Sequence, residues 1–345
     1  MAVPKLSVLD LAIVGRGSTP ALALDASRQL AQETERLGFT RYWVAEHHNM
    51  PGIASSSPPV LIAHLAAHTT TLRLGSGGVM LPNHSPLVVA EQFGMLEALH
   101  PGRIDLGLGR APGTDGLTAA ALRRTNRDDA EEEFPRQLGE LLAYFNDTFP
   151  DDHPFKAIHA TPGRGYQPDV WLLGSSLYSA QLAGLLGLPF SFAHHFSGEN
   201  TEAAVEAYRR AFDPTGVLDE PYLMLGVNVL AAPTLDEARY LAAPGRLAMA
   251  RLRSGRPDVY PTPEEAAAHE YSPQEEAVAR SWGRHHVIGP PEAVRTGLLD
   301  LAERTGADEL MVTTMTHGLD ERLRSYRLVA DAMELTSTGA PTSVS

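Results

Sequence analysis

The sequence predicts a closed (β/α)8 TIM barrel with long insertions after strands 4 and 7, and three observations carry that expectation. Short apolar runs alternate with longer amphipathic segments along nearly the whole chain, as in βα units whose parallel strands are covered by helices. Eight such runs occur, each followed by helix, which favours closure over an open doubly wound sheet. Two connections, 110–168 and 232–290, are too long for a minimal barrel and fall at strand C-termini, where barrels build substrate sites and lids.

Taken in order, the first strand is the apolar run 6–14, followed by the helical segment 20–37, which Gly38 closes. Strand 41–46 leads to helix 58–68, and strand 72–80 to helix 86–99, ended by Pro101-Gly102. Strand 103–109 opens the first excursion, rich in Gly, Pro, Asp and Thr around one helix at 127–145. Strand 170–174 runs into helix 176–187, and strand 190–193 into helix 199–212. Strand 222–230 opens the second excursion, with its Pro-rich stretch 256–263. Helix 291–305, strand 309–313 and a last helix over 319–336 complete the barrel. Residues 1–336 are expected to form one domain, and 337–345 (STGAPTSVS) a disordered tail.

With 43% hydrophobic and 20% charged residues, the chain can bury a substantial core. A net charge of −14 argues against nucleic acid or an anionic membrane as partner, though it leaves room for a local cationic pocket. Cysteine is absent, which removes disulfides, thiolate metal sites and thiol nucleophiles. The opening MAVPKLSVLDLAIVG reads as a buried strand, not a signal peptide, and no apolar stretch is long enough to span a membrane. A cytoplasmic location is expected.

The chemistry-bearing groups gather at strand ends. In 42-YWVAEHHNMPG-52 an apolar strand stops at Glu46, His47 and His48, the end where barrels place their chemistry. Side chains alternate along a strand, so one histidine should face the mouth and the other the helical layer. That argues against one metal shared by both; catalysis and structural satisfaction both remain open. His64 and His68 stand four apart on a helix but lack the glutamate of a zinc-protease motif, and no metal site is expected. His194-His195 could line the same mouth, while His285-His286 carries no reading.

In 103-RIDLGLGRAPG-113 the third glycine of a dinucleotide fingerprint is replaced by Pro112, so that reading is poor; Arg110 is placed to meet an anion or a surface acid. The glycines of 75-GSGGVMLPNHSP-86 allow close approach by a flat ligand, or simply tight packing. In 170-VWLLGSSLYSAQLAG-184, Ser175, Ser176 and Ser179 at a helix start form either a phosphate cradle or a plain cap.

These stretches, with AEQFGMLEALHPGRIDLGLGRAPG and the closing VIGPPEAVRTGLLDLAERTGADELMVTT, make the chain resemble the bacterial luciferase-like, flavin-dependent monooxygenases over about 310 residues. The likeness runs closest to the subgroup that includes the mensacarcin-type oxygenase of aromatic polyketide biosynthesis. The resemblance implies a (β/α)8 barrel that binds reduced FMN, or in other branches the deazaflavin F420. It further implies a monooxygenase of secondary metabolism that oxygenates a small organic substrate with O2 through a C4a-peroxyflavin. A separate NAD(P)H-flavin reductase would supply the flavin, and a homodimer would form through helices near 58–68 and 86–99. Residue by residue, it makes His47 the acid/base group, with Glu46 and His48 holding it. Arg110 would meet the flavin phosphate, and Ser175, Ser176, Leu177, Tyr178 and Ser179 would form the phosphate loop. Gly78-Val79 would be the place of a non-prolyl cis peptide behind the isoalloxazine. Gly174, where luciferase carries an acidic residue, and the divergent segment after Arg110 put aldehyde specificity and light emission in doubt. An F420-dependent hydride-transfer enzyme would need more cations at the rim, which Arg123, Arg124 and Arg127 could supply; a non-catalytic flavin-binding protein is a third reading.

Overall fold

A computed structural model describes residues 3–123 and 133–336. The elements run β1 (Lys5–Asp10), α1 (Pro20–Arg36), β2 (Arg41–Val44), α2 (Pro58–Ala66), β3 (Arg73–Met80), α3 (Pro86–Leu99) and β4 (Ile104–Gly109). The first excursion carries α4 (Gly116–Arg123) and α5 (Phe134–Asn146). Then come β5 (Asp169–Gly174), α6 (Leu177–Leu185), β6 (Phe190–Phe192), the short α7 (His194–Ser197), α8 (Thr201–Ala211) and β7 (Leu223–Ala231). The second excursion holds α9 (Leu235–Arg253), α10 (Pro263–Ala268) and α11 (Pro273–Gly283). The chain closes with β8 (Val287–Gly289), α12 (Pro291–Thr305), β9 (Glu309–Thr313) and α13 (Leu319–Ala332).

All strand pairings are parallel. Strands β1 to β7 follow one another around the barrel, and β9 closes it between β7 and β1. These are the eight strands expected from the sequence. The short β8 is an addition that pairs only with the top of β7, at Val229–Ala231. The first strand ends earlier than its apolar run: Ala12 takes a left-handed φ of 51°, and its N–H donates to Asp10 Oδ1 at 3.1 Å. The first excursion contains a second helix, α4, and the start of the helix expected at 127–145 lies outside the described residues, as do Arg124, Arg127 and the tail 337–345.

The barrel interior is stacked in layers that set the depth of the mouth. At its base Arg41 reaches Asp105 at 3.0 Å and Glu309 at 2.9 Å, all three buried, while Trp43 Nε1 donates to Asp105 and Tyr222 to Glu309. Such a network is tolerable in the interior because each carboxylate has charge-assisted partners. Above it Trp43, Trp171, Met224 and Met311 form an apolar layer, the two indoles meeting edge to face at 5.3 Å. Gly77 sits just above, where a Cβ would come within 2.7 Å of Leu9. The layer is therefore a floor, and the space over it is left open by small residues.

The second excursion folds across that space. Tyr260 pairs with Gly15 in a β-bridge and donates its hydroxyl to the Met315 carbonyl at 3.0 Å. Arg16 holds Asp258 at 2.6 Å and Glu265 at 3.1 Å. Gly245 of α9 lets Trp282 and Tyr260 pack directly against the helix. Among the described residues no helix is long and apolar enough to cross a membrane.

Candidate active site

A cavity of about 410 Å³ opens over the Trp43 and Met311 floor at the C-terminal ends of the strands. Its volume is in the range of small-molecule and cofactor sites. Strand alternation explains what enters it from β2. Trp43, Ala45 and His47 line the cavity at a spacing of two, although regular strand pairing ends at Val44. The extended course continues because Ala45 N–H donates to Asp10 and His47 N–H to Ser55.

Glu46 and His48 point the other way. Fully buried, Glu46 takes His48 Nε2 at 2.9 Å, His84 Nε2 at 2.8 Å and the Met80 N–H at 3.1 Å. Burial pushes its carboxyl up, but the bonds with His84 and His48 outweigh this and leave it below the usual range. The expectation that Glu46 and His48 hold the His47 ring is thus corrected: they tie the ends of β2 and β3 together behind it. His47 Nδ1 is buried with no hydrogen-bond partner among the described residues. Burial drives its pKa down to about 4, with Glu46 opposing and His48 reinforcing, so the ring is neutral near pH 7.

Two glycines form the wall beside it. The non-prolyl cis bond joins Gly77 to Gly78, one position before the Gly78-Val79 bond expected. Gly78 lines the cavity, whereas Val79 turns outward into the hydrophobic core. The pairing register against β4 is irregular at the same place, between Gly77 and Val79.

From the ends of the next two strands, Arg110, Ser175, Ser176 and Ser179 line the cavity together. Arg110 leaves the end of β4 and lays its guanidinium over the Tyr178 ring at 4.5 Å, joining β4 to the start of α6. Ser176 occupies the N-cap position of α6 in an extended conformation, but its side chain makes no cap bond. Leu177 and Tyr178, 45% and 38% exposed, do not line the cavity; Tyr178 adjoins it through the Arg110 stack. Arg123 lies outside the cavity lining and gives its Nε to Asn83 at 3.1 Å.

His195 lines the mouth, as the sequence allowed for His194-His195, and two further polar groups, Asn228 and the His286 behind it, were not assigned from the sequence. His195 lines the cavity with Nδ1 unpartnered, and burial depresses its pKa to about 4. Asn228 lines it from β7 and donates Nδ2 to His286 Nε2 at 2.7 Å. His286, pushed down to about 3 chiefly by burial, is a neutral ring. One signal was available: Asn228 is a polar residue in the apolar run LMLGVNVLA, at the spacing of two shared by Met224 and Gly226. Among the described residues no group of three or more His, Asp or Glu could hold a metal ion.

A parallel barrel whose strand ends gather an orphaned imidazole, a glycine wall and a cluster of one arginine and three serines defines an enzyme with a cofactor-sized mouth. Comparison with known proteins gives the family. The model for luciferase-like monooxygenases matches residues 5–309, and the chain belongs to that family of oxidoreductases. It is 46% identical over 328 residues to a luciferase-like monooxygenase of Escherichia coli (strain K12), covering 95% of this chain and 96% of that one. It is 37% identical over 334 residues to the N-acetyl-S-alkylcysteine monooxygenase of Bacillus subtilis (strain 168), covering 95% and 98%. Among solved structures it superposes on apo-MsnO8 with a TM-score of 0.88 at 40% identity, covering 96% of this chain and 99% of that one.

Proposed function

We propose that this monooxygenase uses reduced FMN, delivered by a separate NAD(P)H-flavin reductase, and O2 to oxygenate a small organic substrate. The observation that carries this reading is the convergence of Arg110, stacked on Tyr178, with Ser175, Ser176 and Ser179 on the cavity that His47 enters. A guanidinium and hydroxyls at a helix start form a donor set suited to a phosphate dianion. Gly77 and Gly78 leave a flat wall suited to a planar ring. Reduced flavin would supply the oxygen chemistry; the chain binds, orients and shields it. His47, neutral and with Nδ1 unpartnered, can accept a proton at that atom from a group in the mouth. Tyr260 and Trp282 of the second excursion screen the mouth from water.

The test is anaerobic titration with reduced FMN, then oxygen uptake with a flavin reductase and candidate substrates. Binding of F420 but not FMN would sink the proposal. Exposed Val60 on α2 and Val88, Met95 and Leu99 on α3 support a homodimer through these helices, which light scattering on the purified protein would check. The absence of cysteine supports a cytoplasmic setting.

A further inference from the structure

A second cavity of about 530 Å³ adjoins the first, walled by α9, α11 and β8. Asn228, Trp282, Thr313 and Met315 line both, so together they form the neck between two chambers. Nothing in the reading above uses this second chamber.

Its chemistry is distinct from its surroundings. The chain carries a net charge of −14, yet four arginines, Arg239, Arg246, Arg280 and Arg284, line this chamber and no carboxylate does. Glu276 holds Arg246 at 3.1 Å and lies 3.6 Å from Arg280, and Glu199 holds Arg284 at 2.6 Å. Two carboxylates therefore face four guanidiniums, and Arg239 has no ion pair among the described residues, so positive charge is in excess at the rim.

The neck supplies a second, independent pointer. Asn228 is only 7% exposed, and its Oδ1 has no hydrogen-bond partner. Its orientation is set by His286, whose Nε2 accepts from Asn228 Nδ2 at 2.7 Å. The amide oxygen is left as a fixed acceptor between the chambers. A buried acceptor left unmatched is unfavourable, and a ligand N–H or O–H would relieve it.

We infer that the second chamber is the substrate's seat and takes an organic carboxylate. A hydrogen-bond donor along its body meets Asn228 Oδ1 at the neck, and its acid group meets the arginine rim. The inference rests on assigning the first cavity to the cofactor, which leaves this chamber for the substrate.

The experiment uses the full chain and two matched probes, N-acetylmethionine and its neutral carboxamide, titrated by calorimetry and by Trp282 fluorescence, with Trp282→Phe to assign the signal. The acid is expected to bind about tenfold tighter than the amide. Arg239→Ala with Arg280→Ala, both on exposed helix faces, should bring the acid down to the level of the amide. Asn228→Ala should weaken both probes. Equal binding of acid and amide, no binding of either, or an acid preference that survives the arginine substitutions would overturn the inference. FMN binding is measured separately on the unmutated protein: an acid preference without FMN binding supports the chamber and counts against the cofactor assignment alone.

Discussion

Replacing Arg110 by alanine tests the cofactor assignment most directly. In the structure the guanidinium lies over Tyr178 at 4.5 Å and shares the cavity wall with three serines. Charge-assisted hydrogen bonds to a phosphate contribute about 1.5–3 kcal/mol, whereas the stack on Tyr178 is made without FMN and serves to orient the guanidinium. Arg110→Ala should therefore cost about 1.5–3 kcal/mol, weakening FMN binding about 10- to 150-fold. Arg110→Lys keeps the charge but loses the fork and the stack, and should cost about tenfold. Tyr178→Ala removes only the stack and should cost about threefold. The assay is quenching of flavin fluorescence, run in parallel with riboflavin, which has no phosphate. If Arg110→Ala binds FMN as the unmutated protein does, or loses riboflavin affinity equally, the arginine does not meet the phosphate and the reasoning fails.

Other substitutions and conditions probe the remaining features. His47→Gln should lower turnover by about 10²–10⁴ while retaining FMN, measured by oxygen uptake and flavin titration; full turnover would remove His47 from the chemistry. Because burial holds His47 near 4, turnover should stay level from pH 8 downward and fall only as the pH approaches that value; an acid limb near pH 6.5 would show a ring that titrates normally. His47, His194 and His195 are held near 4 and His286 near 3, all below the ordinary 6.5. The unfolded chain thus binds protons that the folded one does not as the pH falls below 6.5, so stability is full above that value and declines toward pH 4. The slope is about 1.4 kcal/mol per pH unit for each proton, and urea titrations at stepped pH should show it; a level profile to pH 4.5 would contradict the buried, neutral rings. Arg41→Leu strands Glu309, whose other partners are the Ser7 and Tyr222 hydroxyls, while Asp105 keeps Arg73 at 2.6 Å; it should cost about 3–5 kcal/mol of unfolding free energy, and a loss below about 1 kcal/mol would mean the network carries little.

The eight strands were legible because each is a short apolar run buried on both faces, and helix 291–305 was legible to the residue. What escaped notice was set by tertiary packing. Helix α9, unassigned within the second excursion, runs through Pro244 from Leu235 to Arg253, and Gly245 admits Trp282 and Tyr260 against its face. In the site, alternation correctly required His47 and His48 to diverge, but that Glu46 would pair with His48 and leave His47 alone depended on His84, which comes from the turn after the neighbouring strand. Asn228 and His286 are 58 positions apart, and only closure of the barrel with β8 brings them together.

The turn after His48 carries one more implication. His48 N–H donates to the Gly113 carbonyl, Thr114 returns a bond to the His48 carbonyl at 2.9 Å, and Asn49 reaches Asp115 at 3.2 Å. The first excursion is thereby latched to the residue next to His47. A graft of that excursion from a relative, undertaken to change substrate choice, would also change the footing of the imidazole. The two segments form a unit of exchange, and a chimera has to carry 46–49 and 110–115 together to keep the ring where this fold puts it.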